Sequence, residues 1–170
     1  RLWFTHPADD CRKLADSLWQ KFVDIDDLIV AQAGKSIKDI FAQDGEDHFR
    51  NLETAALRTV SVAHNEGPFV LATGGGLPLA EENRPLLTGL GTIVFLDVAP
   101  EVLLPRITAR GIPAFFPYPD DPARSLAELL AARRPIYRAL AHLTVACRSE
   151  SQETIADTII HQLENYPHED

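Results

Sequence analysis

The sequence predicts an α/β fold, with three α/β/α layers around a central five-stranded parallel sheet. Short apolar runs of strand length alternate with stretches of helical periodicity along the whole chain of 170 residues. Each run is apolar throughout, which is typical of parallel strands covered on both faces. The chain is 45% hydrophobic, too high for a solvated coil, and its length fits one domain.

The elements of the first half follow from apolar runs, periodicity and stop signals. The predicted strands are residues 2–5 and 22–23, and the predicted helices are residues 11–19, 28–33, 36–41 and 46–63. Asp9 or Asp10 is a candidate cap for the first helix, and Gly34 ends the second. The long helix carries an apolar stripe at helical spacing, formed by Phe49, Leu52, Ala56, Leu57 and Val60.

The second half continues the alternation with a proline-rich interruption. The predicted strands are residues 69–73, 92–96 and 143–146, and the predicted helices are residues 102–109, 126–140 and 154–163. Residues 111–122 hold four prolines and are predicted to be a loop. Pro135 is expected to interrupt or kink the helix that contains it.

Charge and cysteine content exclude several classes of partner. The net charge of −9 argues against nucleic acid, which needs a basic face. No uncharged apolar stretch is long enough to span a membrane, so we expect no membrane partner. Cys11 and Cys147 are too few for a disulfide framework and are expected in the core. With no signal-peptide pattern, we expect a cytoplasmic protein, and we expect a monomer.

Three consecutive glycines directly after a buried strand are the sharpest local signal. Ligands of parallel sheets bind at the carboxyl ends of strands, and Gly74, Gly75 and Gly76 follow residues 69–73. Glycines let a ligand approach the main chain closely. The alternative is a plain turn, which rarely needs three glycines.

Two carboxylates follow the second strand. Strand alternation would place Asp24 and Asp26 on the same side, one as a base or hydroxyl ligand, the other near a hydrated metal ion. The alternative is a helix cap by Asp26 or Asp27. The sequence does not decide between them.

Several arginines are candidate anion ligands. Arg50 could grip a carboxylate, oriented by Glu53 at i+3, although spacing alone favours a surface ion pair. Arg133 lies beside a helix break, and Arg106 and Arg110 flank the loop; each admits an anion-binding role or a solvated helix end.

Taken in order, these segments resemble the shikimate kinase family. The matching segments are residues 12–18, FVDID at 22–26, GKSIKDIF at 34–41, residues 45–53, VLATGGG at 70–76, Asn83-Arg84 and RRPIY at 133–137. The resemblance implies a P-loop, nucleoside-monophosphate-kinase-like fold with one domain over residues 1–170 and a lid at about 107–122. It implies transfer of the ATP γ-phosphoryl group to the 3-hydroxyl of shikimate, with Mg²⁺, in aromatic amino-acid biosynthesis. Shikimate and ATP or ADP are thus the implied partners.

The resemblance also implies individual roles. Asp26 corresponds to the acid that contacts the accepting hydroxyl and helps to deprotonate it, and Asp24 to the acid near the hydrated Mg²⁺. The implied shikimate ligands are Asp26, Arg50, Gly74, Gly75, Gly76 and Arg133, with the two arginines on its carboxylate. The implied nucleotide ligands are Arg106, which would pack on adenine, and Arg110.

Two segments depart from the family pattern. The family's first strand is followed by GxxGxGK[ST], whereas no glycine or lysine separates Thr5 from Arg12 here, and Asp9 and Asp10 would repel a triphosphate. The loop is therefore degenerate or incompletely represented.

In the lid, the family's Arg-Pro pair is replaced by Ile112-Pro113, and Arg110 is a candidate substitute. The alternative function is a non-catalytic domain that binds shikimate or a related hydroxy acid as a sensor or partner module. A related small-metabolite kinase, such as a gluconate kinase, fits the set of Asp26, Arg50 and Arg133 less well.

Overall fold

The computed structural model confirms the α/β class. It describes residues 2–4, 8–63, 67–109, 111–113 and 115–166. The strands are β1 (Leu2–Phe4), β2 (Lys21–Asp24), β3 (Phe69–Ala72), β4 (Thr92–Val98) and β5 (Leu143–Cys147). The helices are α1 (Ala8–Ser17), α2 (Ile25–Ala33), α3 (Ile37–Ala63), α4 (Asn83–Leu90), α5 (Pro100–Thr108), α6 (Pro122–Leu140) and α7 (Gln152–Glu164).

All strand pairs are parallel. β2 pairs with β3, and β4 pairs with β5. The three-residue β1 pairs with both β3 and β4, which gives the order β2-β3-β1-β4-β5. The carboxyl ends of all strands therefore meet at one edge.

Alternate residues of β3 pack into two separate apolar clusters. In β3, Val70 and Ala72 belong to the cluster that includes Leu14 of α1, while Phe69 and Leu71 belong to the cluster that includes Leu57 of α3. Strand side chains alternate between faces, so the sheet is covered on both. Cys11 and Cys147 are both buried in the core, as expected.

Several element boundaries differ from the sequence predictions. Helix α2 begins at Ile25 rather than at residue 28, because the Asp24 side chain caps it. Helix α4 was not predicted, since the proline and glycine in its short sequence disguise the helical pattern.

The interruption expected at Pro135 was wrong. Helix α6 begins at Pro122, where the missing N–H costs nothing, and it continues through Pro135 to Leu140. Leu130 and Tyr137, on either side of the proline, are buried, and this packing holds the helix together. Among the described residues, no helix is long and apolar enough to cross a membrane.

Candidate active site

A cleft of about 770 Å³ opens at the carboxyl edge of the sheet. It brings together six of the residues singled out from the sequence, namely Asp24, Asp26, Gly74, Gly75, Arg106 and Arg133. Arg50 and Gly76 adjoin it, as their contacts below show. Arg110 lies outside the described residues, as do the degenerate loop residues 5–7.

The two aspartates at the end of β2 differ from their predicted arrangement. Asp24 is the N-cap of α2, and its Oδ1 accepts the backbone N–H of Asp26 at 2.9 Å. Strand alternation therefore stops at Asp24, and Asp26 belongs to the first turn of the helix. Both carboxylates nevertheless line the cleft. Asp26 Oδ1 is buried and has no hydrogen-bond partner among the residues described.

Asp26 has a strongly shifted acidity. Burial, followed by repulsion from Asp24, Glu53 and Asp27, raises the pKa of Asp26 to about 7, and Arg50 opposes the rise only partly. A carboxyl group with this pKa is about half ionised at neutral pH. That is the range in which a general base works best.

Arg50 is fixed by carboxylates on its own helix. Its Nη1 lies 2.7 Å from Glu53 Oε2 and its Nη2 lies 2.8 Å from Glu46 Oε1. Spacing alone favoured an ion pair at the surface between Arg50 and Glu53. That prediction is wrong for Glu53, because its side chain is only 2% exposed. Burial raises the pKa of Glu53, while its ion pair with Arg50 opposes that rise. The buried carboxylate therefore holds the guanidinium in one place.

Each of the three glycines faces a polar side chain that needs the space. A β-carbon on Gly74 would lie 3.3 Å from Glu53 Oε1 and 3.5 Å from Asp26 Oδ1. A β-carbon on Gly76 would overlap the Arg50 guanidinium. The absence of side chains thus lets two carboxylates and an arginine meet the main chain, which a plain turn would not require.

Arg133 reaches the same glycine segment from α6. Its Nη1 would lie 3.7 Å from a β-carbon on Gly75, and its guanidinium lies 5.7 Å from the Phe115 ring centroid. Phe115 in turn packs edge-on against buried Phe116. Two cations from different helices, Arg50 and Arg133, therefore approach adjacent glycines, a spacing suited to holding one small carboxylate.

Known proteins resemble this chain over most of its length. A family model described as shikimate kinase matches residues 11–164.

The chain belongs to the shikimate kinase family.

A shikimate kinase from a Synechococcus species is 41% identical over 152 residues, covering 89% of this chain and 74% of that protein. One from Symbiobacterium thermophilum is 37% identical over 156 residues, covering 90% and 87%. The structure of a shikimate kinase from Acinetobacter baumannii in complex with shikimate matches with a TM-score of 0.89 at 28% identity. That match covers 99% of this chain and 94% of the other.

The end of the cleft beside α1 lacks the phosphate-binding pattern of the family. The N-terminus of α1 would attract phosphate, but Asp9 and Asp10 occupy its first turn. Asp10 is 3% exposed, and its Oδ2 lies 3.4 Å from Arg106 Nη1. Burial raises the pKa of Asp10, and Arg106 opposes the rise. The carboxylates of Asp9 and Asp10 therefore make this end of the cleft unfavourable for a triphosphate.

The carboxylates suit the magnesium ion that shikimate kinases are expected to use. Mg²⁺ prefers oxygen ligands and is usually held by one or two carboxylates together with substrate phosphates and water. Asp24 and Asp26 supply such oxygens, and the unpartnered Asp26 Oδ1 is a free acceptor. Among the described residues, no group of three candidate ligands could hold a metal ion without substrate oxygens.

Sequence reasoning missed Tyr137. It lines the cleft, and its hydroxyl donates to the Gly75 carbonyl. The available signal was its position four residues after Arg133, which places both on one helix face. Asp97 directly follows the predicted strand 92–96, but it lies within β4 and pairs with Arg134 and Arg138, each at 2.8 Å.

Proposed function

We propose that this chain transfers the γ-phosphoryl group of ATP to the 3-hydroxyl of shikimate. The proposal includes one domain over residues 1–170, with a five-stranded sheet between two helical layers and a lid at about 107–122. The observation that carries it is the convergence of a shifted carboxyl group, Asp26, with Arg50 and glycines 74–76 at one end of the cleft.

The acceptor side follows from this convergence. Arg50, held by Glu53, and Arg133 bind the shikimate carboxylate and orient the ring. Asp26 then accepts a hydrogen bond from the attacking hydroxyl and takes its proton as the phosphorus–oxygen bond forms. Its pKa of about 7 makes it a better proton acceptor than an ordinary aspartate. The glycine segment brings backbone N–H groups next to the substrate.

The donor side rests on fewer residues. Arg106 is the described cation on that side, and Arg110 remains a predicted ligand. Mg²⁺ held near Asp24 would neutralise phosphate charge during transfer. The aromatic pair Phe115 and Phe116 forms an apolar cover that would keep water from the reacting groups.

The alternative, a binding module without catalysis, is not favoured. The acidic first turn of α1 would support it, because Asp9 and Asp10 weaken phosphate binding. Relatives that match most of the chain are nevertheless kinases, and a sensor has no need of a base with a pKa near 7.

The decisive experiment measures ADP release in a coupled assay with shikimate, ATP and Mg²⁺, beside calorimetric titrations of each ligand. The proposal expects turnover that depends on shikimate and on Asp26, with Asp26→Asn inactive but still able to bind shikimate. Shikimate binding without ATP binding or turnover would establish the binding module instead. No binding of either ligand would refute both.

A further inference from the structure

Tyr137 is a buried polar residue of the cleft that the roles above leave unused. It lies on α6, one turn after Arg133, and is 4% exposed. Its ring packs against Phe95 of β4, with 5.3 Å between the ring centroids. The ring is therefore anchored to the sheet, and only the hydroxyl reaches the glycine segment.

The hydroxyl makes a directed contact with the main chain. It donates a hydrogen bond to the carbonyl oxygen of Gly75. Burial raises the pKa of Tyr137, and the nearby Arg133 opposes the rise, so that the hydroxyl keeps its proton at neutral pH. The donor is thus permanently available to the Gly75 carbonyl.

Holding this carbonyl also fixes the peptide group that follows it. The Gly75–Gly76 peptide is planar and trans, so its N–H points away from Tyr137 when its C=O points towards it. The backbone N–H groups of Gly75 and Gly76 donate to no acceptor within the described part of the chain. Glycine peptides rotate easily, and without the Tyr137 hydroxyl this peptide would sample several orientations.

We propose that Tyr137 is a positioning residue that sets the orientation of the Gly75–Gly76 peptide, so that its N–H is presented to an oxygen of the acceptor substrate. The inference rests on the proposed function, because it takes the acceptor to bind beside glycines 74–76. Tyr137 and Arg133 share one helix, so the same hydroxyl also keeps the Arg133 guanidinium in register with the glycine segment.

The first experiment removes only the hydroxyl. Tyr137→Phe keeps the ring against Phe95 and is expected to raise the shikimate Kd and KM about tenfold, the effect of one well-placed hydrogen bond. The KM for ATP should stay within twofold of the parent. The matched control is Tyr166→Phe, because Tyr166 follows α7, outside the lid, and its ring packs edge-on against His142. We expect no change in shikimate Kd there.

A second experiment tests the contact itself through Gly75→Ala. A β-carbon on Gly75 would lie 3.1 Å from Tyr137 Oη in the parent, and that oxygen is absent in Tyr137→Phe. Gly75→Ala should therefore raise the shikimate Kd by a smaller factor in Tyr137→Phe than in the parent. We expect the two factors to differ at least threefold.

The outcomes separate this inference from the proposed function. If the parent turns over shikimate but Tyr137→Phe lowers only the Tm and leaves shikimate Kd within twofold, Tyr137 is structural and the inference is overturned. Additive effects of Tyr137→Phe and Gly75→Ala would overturn it as well. A parent without shikimate binding or turnover would refute the proposed function, and the inference with it.

Discussion

Replacing Asp26 with asparagine is expected to make the protein more stable at pH 8 while removing the proposed catalytic base. Burial and three neighbouring carboxylates raise the pKa of Asp26 from 3.8 to about 7. Each unit corresponds to about 1.4 kcal/mol, so ionising Asp26 in the folded state costs at most roughly 4 kcal/mol.

The direction of the pH dependence follows from proton binding. Between pH 4 and pH 7 the folded protein holds the Asp26 proton more tightly than the unfolded chain does. The free energy of unfolding of the parent therefore falls as the pH rises through this window and levels off above it. Asparagine carries no such charge, so the variant should be more stable than the parent by only a few tenths of a kcal/mol at pH 3.5 and by about 4 kcal/mol at pH 8.

Urea denaturation at pH 3.5, 6 and 8 measures this difference, and the coupled assay gives kcat for the same variants. Asp27→Asn is the matched control, since Asp27 is an exposed neighbour in the same helical turn. The control should change the free energy of unfolding by less than about 0.5 kcal/mol at every pH. An Asp26→Asn variant that is no more stable than the parent at pH 8 would refute the reasoning, as would one with undiminished kcat.

Three further predictions concern the same cleft. The kcat/KM for shikimate should rise with pH around a midpoint within about one unit of 7, because Asp26 must be ionised to act as a base; a profile that is flat from pH 5.5 to 8 would contradict this. Gly76→Ala should raise the shikimate KM at least about tenfold by displacing Arg50. Gly89→Ala, where a β-carbon meets open space, should leave the KM unchanged, and equal effects would argue against the clash. Asp10→Asn should lower the KM for ATP about three- to fivefold, because it removes a carboxylate that repels phosphate, and an unchanged KM would count against that repulsion.

Much of the fold was predictable because apolar runs and periodicity report burial directly. Local patterns predicted the strand before the three glycines and the end of a helix at Gly34. They also predicted that both cysteines are buried. Helix α4 and the continuity of α6 were not, because tertiary packing outweighs the local cost of proline. Local patterns carry no information about such packing.

The site was predictable in its residue types but not in its geometry. The pairing of Arg50 with Glu53 follows from helical spacing, yet the burial that makes Glu53 a fixed support comes from the fold around it. Of the two arrangements that the sequence left open for Asp26, the strand-like one is wrong, because Asp24 caps a helix that begins at Ile25. Contacts across the sheet, such as that between Tyr137 and Gly75, leave no periodic signal.

The half-ionised state of Asp26 has a consequence for any heat measured on this protein. At pH 7 about half of the molecules carry a proton on Asp26. A cation bound beside Asp26 favours the charged form, so its binding would release that proton into the buffer. The apparent enthalpy of Mg²⁺ or substrate binding therefore includes the ionisation enthalpy of the buffer. Titrations in phosphate and in Tris would differ, and the difference counts the protons exchanged.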